Sequence, residues 1–84
     1  MKTEITRFSL DNEMDIVLAY RRAMQIGRYA GINIADQTRF ATAVSEISRN
    51  VLEFCKTGDI IYYASQKSEH EYALEAVVSD FGPG

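Results

Sequence analysis

Three positions carry side chains whose type and spacing suit chemistry: Glu46, Asn50 and Asp80, the last opening Asp80-Phe81-Gly82-Pro83-Gly84. Glu46 and Asn50 are four apart in a segment with helical periodicity, so a carboxylate and an amide lie one above the other. An amide oxygen is a reasonable ligand for a hard cation. With Ile47 at the centre, Phe40, Val44, Val51 and Phe54 form the apolar stripe of this helix. That puts Glu46 and Asn50 on the stripe's border, half covered by neighbouring structure. A protein keeps polar groups there when they must meet a ligand in a fixed geometry. The simpler reading is the solvated edge of an amphipathic helix. Asp80 to Gly84 read alone is a turn after a strand, since Asp, Gly and Pro are the usual turn formers.

The elements that position these residues follow in chain order. Thr3 to Leu10 is a strand with imperfect alternation. Asn12 with Asp15 signals a helix start, and the helix runs from Glu13 to Ala30. Its inner face is Ile16, Tyr20, Ala23, Met24, Gly27 and Ala30. Arg21, Arg22, Gln25 and Arg28 fall on the other side. Arg21-Arg22 is a partner contact or a solvated face. Gly27 marks a close approach to another element, and Gly31 ends the helix in the left-handed conformation. Asn33 caps the second helix, Asp36 favours its positive end, and the helix stops near Lys56 with Gly58 as punctuation. The short connection makes the two helices antiparallel neighbours. Asp59 to Gln66 and His70 to Ser79, joined by a turn at Lys67 to Glu69, form an antiparallel hairpin. The order β-α-α-β-β predicts an α+β two-layer sandwich in a single domain, helices on one face of a sheet.

The chain has 84 residues, a net charge of −3 and a pI near 5.0, with 46% apolar and 25% charged residues. That is ordinary for a soluble globular domain. No Lys/Arg run stands out, which argues against nucleic acid as a partner. No apolar run reaches membrane-spanning length, and Met1 to Glu4 does not begin a signal peptide. One cysteine makes no internal disulfide, which fits a reducing cytoplasm. Cys55 reads as a small buried hydrophobe, His70 has no metal-ligand spacing around it, and Glu53 is a solvated helix charge. Tyr62 and Tyr63 read as sheet packing. Arg49 is a phosphate or partner contact, or a surface arginine.

A helix bearing Glu-x-x-x-Asn, then a strand ending in Asp-x-Gly-x-Gly, resembles the histidine kinase-like (GHKL) ATPase superfamily. Asp36-Gln37-Thr38-Arg39, Ala41-Thr42-Ala43-Val44-Ser45-Glu46 and Ser48-Arg49-Asn50 are similar to the RsbT-type anti-sigma-factor serine kinases. The resemblance runs from about Asn12 to Gly84. It implies a partial Bergerat fold and a set of roles. Glu46 is then the general base, or positions the attacking hydroxyl. Asn50 ligates Mg²⁺ beside the nucleotide. Asp80 accepts the adenine amino group, and Gly82 and Gly84 let backbone pass close to ATP.

The family continues beyond this point with a mobile lid and a second glycine-rich box. The sequence ends at Gly84, so the expectation for this chain alone is weak ATP binding and turnover. An open strand edge and an uncovered helical face are expected to drive homo-oligomer formation. The implied function is transfer of the γ-phosphate of ATP to a STAS-domain partner in stress or sigma-factor control. The alternatives are the ATP-binding portion of a sensor histidine kinase and a non-catalytic interaction module.

Overall fold

A computed structural model describes residues 2–69 and 71–80, the last through its backbone. The element order is β1 (Lys2–Leu10), α1 (Glu13–Tyr29), α2 (Ile34–Cys55), β2 (Gly58–Gln66) and β3 (Tyr72–Asp80). This is the expected α+β arrangement. The three strands form an antiparallel sheet in the order β1-β2-β3, and both helices pack on one face.

Local chemistry starts and stops the helices where the sequence indicates. Asn12 Oδ1 accepts from the Met14 amide at 2.9 Å, while Asp15 Oδ2 accepts from the Asn12 amide at 3.2 Å, a reciprocal capping box. Gly31 follows α1 with φ 76°, and the Ile32 amide returns to the Gly27 carbonyl at 3.0 Å. Asn33 Oδ1 accepts from the Asp36 amide at 2.9 Å and caps α2. The end of α2 differs from expectation. Its left-handed residue is Lys56, with φ 74°, while Gly58 is the buried first residue of β2.

Gly27 gives α1 and α2 their close approach. A Cβ there would lie 2.9 Å from Gln37 Cγ. Gln37 is buried and its Nε2 donates to the Ile32 carbonyl at 2.6 Å, tying α2 to the connection before it. The core gathers Leu10, Ala19, Ala23, Ile26, Ala41, Val44, Ile60 and Tyr62. Tyr62 is fully buried, and its hydroxyl donates to the Ala19 carbonyl at 2.7 Å, so the phenol costs no unpaired donor. Burial raises its pKa well above the ordinary tyrosine value.

The imperfect alternation of β1 has a structural cause. The pairing with β2 shifts register between Glu4 and Thr6, leaving Ile5 as the extra residue of a bulge. Beyond β2, Lys67 and Ser68 both donate to the Glu71 carbonyl to close the hairpin, so β3 starts two residues later than predicted, at Tyr72. His70 lies outside the described residues.

Candidate functional site

The buried stripe of α2 is Gln37, Ala41, Val44, Ser48 and Val51. Val44 and Val51 of the stripe predicted around Ile47 belong to it, and Phe40 packs against the core, but Ile47 and Phe54 do not belong to it. Ile47 is 49% exposed and Phe54 74% exposed. Ser48 takes the core position because its hydroxyl is satisfied inside the helix, donating to the Val44 carbonyl at 2.8 Å. Ala41 and Ser48 are fully buried, whereas the larger Ile47 and Phe54 lie outside the stripe.

This rotation moves the candidate polar pair. At about 100° per residue, Glu46 stands almost opposite the buried stripe and Asn50 on its far flank. Both are exposed, not half covered, and neither side chain bonds another described residue. The two flanks of α2 differ. Arg49, Leu52 and Lys56 face α1, where they share a hollow with Ile16 and Val17. Asn50, Ile47 and Phe54 fall on the other flank.

Asp80 reaches the same end of α2 through the sheet. In the ladder Gly58 pairs with Leu10 on one side and Asp80 on the other. Gly58 also lies directly beneath α2. A Cβ on it would come within 2.7 Å of Val51 Cγ1 and overlap the Ser79 carbonyl oxygen. The turn carrying Asn50 and Val51 is thus set down on the closing residues of β3. Val51, the residue after Asn50, therefore lies over the pairing of Gly58 with Asp80, while the side chains of Asn50 and Glu46 are exposed on the helix. Gly82 and Gly84 lie outside the described residues.

A hollow of about 820 Å³ opens on the α1 side of the same end of α2. Asp11, Asn12 and Glu13 at the start of α1 line it, with Arg49, Glu53 and Lys56 from α2. A bond from Thr57 Oγ1 to Asp11 Oδ1 at 2.9 Å joins the two connections beside it. Glu46 and Asn50 are not among its lining. Sequence reasoning missed this hollow because its walls come from segments some 40 residues apart, joined only by helix packing.

Mg²⁺ bound beside a nucleotide takes one or two protein ligands and fills its shell with phosphate and water. The unbonded Asn50 carboxamide fits that demand. Among the described residues no three His, Cys, Asp or Glu side chains cluster for a fully protein-built metal cage. None of the described helices is long and apolar enough to cross a membrane.

Against known proteins, the chain is 32% identical over 73 residues to the serine/threonine-protein kinase RsbT of Bacillus subtilis. The match takes in 86% of this chain and 53% of that kinase, so the chain spans about half the length of the curated relative it matches. The two are distantly related. No protein-family model matches the chain, and no solved structure matches it.

Proposed function

We propose that this chain is the nucleotide-binding part of a GHKL-type serine/threonine protein kinase acting in cytoplasmic anti-sigma-factor control. The observation that carries the reading is the corner at Gly58. There Val51, the residue after Asn50, sits over Gly58, whose ladder partner Asp80 opens the Asp-x-Gly-Pro-Gly box. The relationship to a serine/threonine kinase over 86% of the chain supports it.

In this reading Asp80 accepts a hydrogen bond from the adenine amino group, and Gly82 and Gly84 pass close to the nucleotide. Asn50 would hold Mg²⁺, which supplies charge neutralisation at the phosphates when bound. Glu46, exposed and unbonded, is free to meet an incoming hydroxyl. It takes the proton as the hydroxyl oxygen bonds to the γ-phosphorus and the bond to the β–γ bridging oxygen breaks, releasing ADP. The phosphoacceptor is a serine or threonine of a STAS-type partner protein. The exposure of Glu46 suits an acceptor that arrives on another chain.

Transfer of γ-labelled phosphate from ATP to a purified STAS-domain protein tests this. Wild type labels the partner, and Glu46→Gln abolishes labelling while the two still co-elute. Equal labelling by both proteins contradicts the assignment of Glu46.

A second reading, a non-catalytic module that self-associates, draws on the exposure of Ile47 and Phe54 on the flank facing away from α1. Light scattering at micromolar concentration separates it. A strictly monomeric species removes the self-association.

A further inference from the structure

Arg21 and Arg22 take no part in the corner described above, yet they overhang a second feature. A hollow of about 330 Å³ is lined by Thr6, Arg7, Phe8 and Ser9 of β1 and by Leu18, Arg21, Arg22 and Gln25 of α1, with Asp15 at one end. Four consecutive strand residues line it. Successive side chains of a strand point to opposite faces, so a hollow touching all four runs along the strand's edge and not over one face. That edge is open, because β1 pairs only with β2 among the described strands. Its unpaired amides and carbonyls therefore share the hollow with two guanidinium groups.

The charges there are uneven. Asp15, the one acid in the lining, is committed to the α1 cap, where it accepts from the Asp11 and Asn12 amides at 2.8 and 3.2 Å. Arg7 is spent on Glu4, with Nη2 to Oε1 at 2.6 Å. Arg21 and Arg22 pair with no carboxylate among the described residues. Arg22 donates only to the Gln25 side chain, at 3.3 Å. A chain of net charge −3 thus carries an uncompensated positive site beside an open strand edge.

We propose that this groove binds an acidic, extended segment of a partner protein, added to the sheet as a strand beside β1. Backbone bonds to the edge of β1 hold the segment. Its carboxylates, on the side chains facing α1, meet the Arg21 and Arg22 guanidinium groups, which offer paired donors in the geometry a carboxylate takes. Leu18, 46% exposed, packs against an aliphatic side chain between them. Two arginines on a short edge suit a peptide, whereas nucleic acid is gripped by a longer basic track.

The test is fluorescence anisotropy without nucleotide. The probe is a labelled peptide as long as the 9-residue β1, alternating Asp or Glu with Val or Thr. The expected result is saturable binding that weakens with salt. Arg21→Glu with Arg22→Glu weakens it by about tenfold or more, since rim charges of this kind set both encounter and register. N-methylation of alternate peptide amides weakens it comparably, which a purely electrostatic contact would not. Both arginines are exposed, so the variant's melting curve stays at wild type. Asp80→Asn leaves peptide binding unchanged, so loss of the nucleotide site and loss of this groove read out separately. Absence of binding at millimolar peptide, equal binding of the Lys counterpart, or tighter binding of an oligonucleotide of equal charge overturns the proposal.

Discussion

The two faces of α2 are built from the same 22 residues to opposite ends. The inner face buries Ala41, Val44, Ser48 and Val51 against α1 and the sheet, and the Ser48 hydroxyl is bonded within the helix. The outer face carries Glu46 and Asn50, whose side chains bond no other described residue. Residues that hold a fold are expensive to change, and residues that contribute nothing to it are free to be shaped by a ligand. The helix therefore separates its buried stripe from its exposed polar pair by about half a turn.

The largest expected effect comes where the inner face meets the sheet. Gly58→Ala drives a methyl into Val51 and the Ser79 carbonyl, and the strand cannot yield without losing its pairing. It should lower unfolding free energy by about 2–3 kcal/mol, read by urea denaturation. If the comparison holds, it also weakens nucleotide binding, because it lifts the Asn50 turn from the end of β3.

Tyr62→Phe removes the bond to the Ala19 carbonyl and should cost about 1 kcal/mol. It also sharpens the account of burial. The phenol is held neutral in the fold, with its pKa raised above the unfolded value of about 10. Above that pH the unfolded chain releases a proton that the folded chain keeps, so stability falls as pH rises. Below it the contribution is intact. The variant should lose the part of the alkaline slope that Tyr62 supplies, measured by denaturation across alkaline pH.

Smaller still, Asn12→Ala should cost about 1 kcal/mol by removing half of the capping box. Lys56→Gly should stabilise by up to about 1 kcal/mol, by relieving a left-handed φ that a side chain disfavours. Least of all, Asn50→Ala should shift stability by no more than about 0.5 kcal/mol, because its side chain is exposed and unbonded. A shift several times larger would mean the outer face is structural after all.

Features set by neighbours in sequence were readable without the structure. Asn12 with Asp15, Asn33 and Gly31 announce caps whose partners lie within a few residues. The element order and the hairpin followed from periodicity and turn chemistry. The buried face of α2 followed only in part: Phe40, Val44 and Val51 were in the predicted stripe, and Ala41 and Ser48 were not. Ile47 and Phe54 look like core by size, whereas the buried stripe includes Ala41 and a serine whose polarity is hidden by its own helix. Lys56 was unreadable for a related reason. A glycine two residues on invites the left-handed position, but Gly58 is needed flat beneath Val51. The placement of Val51 over the Gly58–Asp80 pair rests on a strand register set by two pairings, and the arginine groove on a helix and strand that meet only in space.

The outer face of α2 and the end of β3 are proposed to form one nucleotide site. Calorimetric titration of ATP with Mg²⁺ into the wild-type chain and into Asp80→Asn tests it most directly. The account predicts saturable heat for wild type and its loss in the variant, with both proteins melting alike. No heat at high nucleotide, or heat that the substitution leaves unchanged, contradicts it.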